Sequence, residues 1–193
     1  MSSSGRYASR AGEKLEFALE AFAVDPAGLV AADLGSNVGG FVDCLLVRGA
    51  RRVFSVDTSY GTLAWKLRQD PRVVVLERTN ALHLELPGPV DLVTVDVGWT
   101  PQARVLPVAR RLLASGGRIL SLVKPQYEAR KDELEKGFVR PEAIEAVLAR
   151  TRAAVEALAW PNIQWVECPL GGGKRNREFF VLLAGGVPGD GGV

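Results

Sequence analysis

The sequence predicts a doubly wound α/β fold with a seven-stranded, mostly parallel sheet whose last strand is antiparallel. Three observations carry this. Short runs of Val, Ile and Leu are apolar almost throughout, as strands buried on both faces must be. Longer segments with helical spacing separate them, which is the βαβα alternation of a sheet covered on both sides. The final connection, residues 169–176, is short and glycine-rich, so the two closing strands join as a hairpin and the last one reverses direction.

Taken in order, residues 9–22 read as a helix. Leu15, Leu19 and Phe22 fall at i, i+4 and i+7 on its inward face, while Arg10 and Lys14 share another. A strand at 29–34 leads into a helix at 40–48, and a strand at 53–56 into a helix at 61–68. Strands follow at 73–76 and 90–97, then a helix at 101–113 and a strand at 119–123. An Ala/Glu/Arg-rich helix at 142–158 opens on Pro141, and strands at 163–168 and 179–183 close the chain. The 193 residues, 47% hydrophobic, fill one domain with a real core. That domain is expected over 9–184, between flexible ends at 1–8 and 185–193.

Several chemistries are excluded. Cys44 and Cys168 have no partner at metal or redox spacing, so no metal site is expected and both read as small buried hydrophobes. The single His83 reads as a surface residue, and Trp65 and Trp160 as core. No apolar run approaches the ~18 to 20 residues of a membrane span, and residues 1–6 lack the hydrophobic segment of a leader, so a cytoplasmic protein is expected.

The ligand signal lies at the end of the first strand, in Asp33-Leu34-Gly35-Ser36-Asn37-Val38-Gly39-Gly40-Phe41. Glycines there let the backbone turn tightly and approach a ligand, at the strand end where nucleotides dock. The second strand ends in Asp57, 24 residues after Asp33, where a carboxylate can accept hydrogen bonds from both ribose hydroxyls of an adenosine. A dinucleotide fold would present GxGxxG, and the carboxylate of Asp33 would repel a pyrophosphate. S-adenosylmethionine, a cation without phosphate, fits the pattern better than NAD.

Five segments together resemble the TlyA/hemolysin-A branch of the FtsJ-like RNA 2'-O-methyltransferases. They are Ser9-Arg10-Ala11-Gly12-Glu13-Lys14-Leu15, DLGSNVGGFVDCLLVRGA (33–50), Val56-Asp57 with GTLAWKLR (61–68), Glu77-Arg78-Thr79-Asn80, and LVKPQYE (122–128). The resemblance covers residues 6–184 and implies a class I, Rossmann-like, S-adenosylmethionine-dependent methyltransferase. It implies a catalytic tetrad at Lys14, Asp96, Lys124 and Glu178 that methylates a ribose 2'-hydroxyl of ribosomal or transfer RNA. It places the donor against Asp33, Gly35, Ser36, Asn37, Gly39, Gly40, Phe41 and Asp57, with Asn80 near the adenine. The branch carries an S4 RNA-binding domain ahead of the first motif, where this chain has only a short stretch, so a docking partner in its place is expected. After Asp96 its members tend to have Val-Ser-Phe-Ile-Ser, whereas this chain has Val97-Gly98-Trp99-Thr100-Pro101 beside the expected acceptor.

The residues support that chemistry on their own terms. Methyl transfer to a hydroxyl needs alignment and removal of a proton. With histidine nearly absent, Lys124 at the end of an apolar strand is the base to expect, since desolvation there lowers an amine's proton affinity. Asp96 ends the neighbouring strand. Arg6, Arg10, Lys174, Arg175 and Arg177 bracket these positions and are expected to hold RNA phosphates, and Trp99 and Tyr127 to stack on a base. Two rivals stand beside this reading: a methyltransferase for a small-molecule hydroxyl, and a non-catalytic hemolysin-like binding protein.

Overall fold

The computed structural model describes residues 5–171 and 177–185. Among them are nine strands: β1 (Val30–Leu34), β2 (Arg52–Val56), β3 (Val73–Leu76), β4 (Val90–Val95), β5 (Leu113–Val123), β6 (Leu134–Glu135), β7 (Phe138–Val139), β8 (Asn162–Glu167) and β9 (Phe179–Ala184). Six α-helices accompany them: α1 (Ala11–Ala21), α2 (Gly40–Val47), α3 (Trp65–Arg68), α4 (Gln102–Arg111), α5 (Pro125–Glu128) and α6 (Ile144–Glu156).

Seven strands form one sheet in the order β3-β2-β1-β4-β5-β9-β8. The first five are parallel, and β9 runs antiparallel to both β5 and β8, as expected for the last strand. The chain moves outward from β1 to β3 and then returns to the other side of β1 as β4. The carboxyl ends of β1 and β4 therefore flank the point where the winding reverses, which is where open α/β sheets bind ligands.

Neighbouring residues along each central strand point to opposite faces, and both faces are dry. Val93, Ile119 and Val181 join a core under α4 and α6 that includes Val105 and Leu106, while Leu92, Leu120 and Phe180 join a second under α1 and α2 that includes Leu15 and Leu45. That two-sided burial is why the strands read as unbroken apolar runs. Leu15 and Leu19 are inward as expected, Cys44 and Cys168 are buried outside any disulfide, and His83 is exposed. No helix among the described residues is long and apolar enough to cross a membrane.

Some expectations need correction. The helix expected at 61–68 forms only over Trp65–Arg68, because the chain from Asp57 to Ala64 is held as a loop, with Ala64 N–H donating to Val38 O. Trp65 is consequently 70% exposed rather than core, whereas Trp160 is buried, with the Arg110 guanidinium 4.7 Å over its ring. Strand β5 starts six residues early, at Leu113, and reaches Ile119 through an irregular register against β4. The sequence reading missed α5 and the small β6–β7 hairpin, whose turn residues Lys136 and Gly137 both take positive φ, of 51° and 83°, as a two-residue hairpin turn requires. In the closing connection, Pro169–Gly171 form a 3-10 turn and residues 172–176 lie outside the described residues.

Candidate active site

Gly35 closes β1 at the reversal point, with φ +89°, and a Cβ there would lie 2.6 Å from the backbone oxygen of Asp96. The first turn is thus glycine because β1 and β4 press together beneath it. The other glycines of the motif are small for a different reason. A Cβ on Gly39 would strike Leu63 and Leu67, and one on Gly40 would strike Ser9 and Gly12, so these two let α1 and α3 pack on the turn, and Gly40 also lines the smaller cavity beside it. Phe41 likewise belongs to the core, its ring 6.1 Å from that of Phe180.

A cavity of about 500 Å³ opens over the carboxyl ends of β1, β2 and β4, a size that accepts a nucleoside-scale ligand. Asp57 stands on its wall, accepting the Asn37 N–H at 2.8 Å and the Ser59 N–H at 2.7 Å. Burial pushes the Asp57 carboxyl up, but hydrogen bonds from Ser59 and the Asn37 amide outweigh it and hold the group ionised, below its usual range. Asn80 lines the same cavity and caps a 3-10 turn through its Oδ1, which accepts the Leu82 N–H at 2.9 Å. Thr58, Thr62 and Thr79 also line it; their only signal in the sequence is that they lie just beyond β2 and β3.

A smaller cavity of about 80 Å³ lies on the other side of Gly35, among Ser36, Asn37, Phe41 and Asp33. Ser36 is buried and its Oγ accepts from Ser55 at 2.8 Å. Asp33 is fully buried: Oδ1 accepts from Thr94 Oγ1 at 2.7 Å, and Oδ2 has no hydrogen-bond partner. Burial raises its carboxyl to about 8, the Thr94 bond lowering it in part and the carboxylates of Asp96 and Asp57 adding to the rise. This carboxyl is thus neutral at pH 7 in the protein alone, and a cation beside its unused oxygen would favour its ionisation.

The four residues expected as a tetrad form two ion pairs that feel one another, of which Asp96 and Lys124 line the larger cavity. Lys124 Nζ, at the end of β5, lies 2.5 Å from Asp96 Oδ1, just past β4. Lys14 on α1 donates to Glu178, which immediately precedes β9. Burial raises the Asp96 carboxyl, with Lys124 and Lys14 opposing and Glu178 reinforcing the rise, so the pairs feel one another. For Lys124, burial lowers the amine, but Asp96, Tyr127 and Glu178 together raise it above its ordinary value. The expected lowering by desolvation is thus overcome in the protein alone, and Lys124 is charged at neutral pH.

Beside Lys124, the rings of Trp99 and Tyr127 stand 4.9 Å apart on the cavity rim. Trp99 is 82% exposed and adopts φ +58°, an outlier for a bulky residue. The basic residues are less uniform than the sequence implies. Arg10 is exposed at the start of α1, and Arg6 is exposed but pairs with Glu16 at 2.6 Å. Arg177 is held by Glu167 at 2.7 Å and Glu145 at 3.1 Å, partners 10 and 32 residues away that no local pattern reveals. Lys174 and Arg175 lie outside the described residues. No group of three or more potential metal ligands occurs among the described residues.

The FtsJ-like methyltransferase family pattern matches residues 7–184. The 16S/23S rRNA (cytidine-2'-O)-methyltransferase TlyA of Mycobacterium tuberculosis is 43% identical over 183 residues, covering 92% of this chain and 68% of its own. YqxC of Bacillus subtilis is 41% identical over 186 residues, with 92% and 66% coverage. The chain therefore spans about two thirds of the length of these curated relatives. A solved structure of a hemolysin-named protein from Streptococcus thermophilus superimposes with TM-score 0.84 at 35% identity, covering 95% of this chain and 69% of that one. With a family match along nearly its whole length and this fold, the chain belongs to the FtsJ-like methyltransferases.

Proposed function

We propose that this chain methylates a ribose 2'-hydroxyl of RNA, with S-adenosylmethionine as donor and Lys14, Asp96, Lys124 and Glu178 as its catalytic residues. The observation that carries the reading is the Lys124–Asp96 pair in the wall of a nucleoside-sized cavity, electrostatically coupled to the Lys14–Glu178 pair. Relatives named as rRNA (cytidine-2'-O)-methyltransferases give the acceptor its class. The methyltransferase domain is taken as residues 9–184.

The residues fit the donor. Asp57 offers a carboxylate to the ribose hydroxyls, Asn80 lies where an adenine would end, and the unused Oδ2 of Asp33 suits the ammonium of the methionine end. When bound, the donor supplies a methyl group on a positively charged sulfur. Trp99 and Tyr127 hold the acceptor nucleotide by stacking, which fixes its ribose beside Lys124. Lys124 Nζ would take the proton of the 2'-hydroxyl, leaving its oxygen free to accept the methyl group that the donor supplies. Because Lys124 carries its own proton in the free protein, it must release it first, and positive charge arriving in the cavity favours that release. Asp96 orients the amine, and the Lys14–Glu178 pair fixes the far side. The exposed Arg10 offers a charge to RNA phosphates, whereas Arg6 and Arg177 are already engaged by Glu16 and by Glu145 and Glu167, and Lys174 and Arg175 stand as phosphate contacts from the sequence alone.

The test is methyl transfer from labelled donor to ribosomal RNA and to DNA of the same sequence. Label should enter the RNA alone, since DNA lacks the acceptor oxygen. Equal labelling of both would exclude the ribose hydroxyl.

A further inference from the structure

Helix α4 begins where the loop after Asp96 ends, and its own sequence does not cap it. Pro101 occupies the cap position and supplies no side-chain acceptor. The first amides of a helix need acceptors and favour negative charge. Here the acceptor comes from 26 residues further on, where Glu128 Oε1 receives the Gln102 N–H at 2.8 Å. Gln102 is itself buried and gripped: Ser121 Oγ donates to its Oε1 at 2.7 Å, and its Nε2 donates to Leu122 O at 3.4 Å.

Ser121 and Leu122 lie in β5 and Glu128 ends α5, so one continuous segment, 121–128, holds the start of α4. The same segment holds the other end of the loop, because Lys124 bonds Asp96 at 2.5 Å. Residues 97–101, with Trp99 against Tyr127, are stretched between two ties to a single element. A Ser, Asp or Asn at position 101 would cap the helix locally. With Glu128 in that role, the start of α4 moves only with the turn that carries Lys124 and Tyr127.

From this geometry we infer that Glu128 is a positioning residue for the acceptor: by capping α4 across the chain, it sets the loop bearing Trp99 against the turn bearing Lys124 and Tyr127. The inference rests on the RNA reading above. Burial raises the Glu128 carboxyl above its ordinary value, with the Gln102 N–H opposing in part, and Oε1 can accept that N–H in either protonation state.

The test compares Glu128→Ala and Glu128→Gln in the full chain by amide hydrogen exchange, calorimetry with S-adenosylhomocysteine, and kinetics on ribosomal RNA. Glu128→Ala should speed exchange at Gln102 by about fivefold to tenfold, the loss of one helix cap. It should lower kcat/KM for RNA by about tenfold, chiefly through KM, and leave affinity for S-adenosylhomocysteine within about twofold. Glu128→Gln retains an acceptor oxygen and should restore the kinetics to within about threefold of wild type. Unchanged exchange and kinetics in Glu128→Ala would overturn the positioning role, as would a Glu128→Gln variant as impaired as the alanine variant, or a loss that falls on donor affinity. A wild-type protein that transfers no methyl to RNA would overturn the reading beneath it instead.

Discussion

Replacing Asp33 with Asn should make the protein more stable and a poorer binder of its donor. Asp33 is fully buried and its carboxyl is raised from 3.8 to about 8, chiefly by burial. A carboxyl raised on folding suits the fold when protonated. Its contribution is therefore intact below about pH 4 and is lost progressively as the pH climbs toward 8. At pH 7 the folded protein retains a proton that the unfolded chain releases about three pH units lower, and at about 1.4 kcal/mol per unit this opposes folding by about 4 kcal/mol. Asparagine keeps the shape and the acceptor for Thr94, and removes this term. Against that stands about 1 to 3 kcal/mol for an amide nitrogen without an acceptor where Oδ2 now lacks a donor. Asp33→Asn should thus gain about 1 to 3 kcal/mol in urea unfolding at pH 7 and lose that gain near pH 4.5. The same variant forfeits a charged hydrogen bond to the donor ammonium, worth about 1.5 to 3 kcal/mol, so calorimetry should show affinity for S-adenosylmethionine falling by about 10- to 100-fold. A stability change of the same size at both pH values, or unchanged donor affinity, would refute this reasoning.

Gly35→Ala should cost about 2 to 4 kcal/mol of stability, because its Cβ would lie 2.6 Å from Asp96 O on a backbone at φ +89°; a variant with wild-type unfolding would contradict the contact. Asp57→Ala should weaken donor binding by about 2 to 4 kcal/mol in calorimetry, and NAD should give no binding heat with the wild type. Unchanged affinity would remove Asp57 from the donor site. Lys124→Met should lose about 100-fold or more in turnover while donor affinity stays within a few-fold. Since the neutral amine is the active form, wild-type kcat should rise with pH, and that rise should vanish in the variant. Near-normal turnover in Lys124→Met would end its role as base.

The parallel strands were legible because burial on both faces leaves no polar alternation, so β1 to β4 read directly as apolar runs. The early start of β5 did not, since Ala114-Ser115-Gly116-Gly117 has the composition of a turn and forms the irregular stretch between the Leu113 and Arg118 pairings with β4. Trp65 is exposed because the loop ahead of α3 is fixed by a long-range bond to Val38, which no local periodicity records. At the site, residues at strand ends were found because topology dictates where those ends gather. What was hidden is pairwise: the ties of Arg177 to Glu145 and Glu167, the capping of α4 by Glu128, and the net direction at Lys124 all depend on distances between elements. Gly39 and Gly40 carry a second constraint that the sequence did not reveal, since a Cβ on either would strike residues packed on the turn.

The central claim is that this site places a methyl group on a ribose 2'-oxygen. Its most direct measurement is to incubate the protein with methyl-labelled S-adenosylmethionine and ribosomal RNA, digest to nucleosides and identify the labelled product by chromatography and mass. The account predicts label in a 2'-O-methylated nucleoside with the wild type and its loss with Lys124→Met. Label on a base, or label that persists undiminished in Lys124→Met, would contradict it.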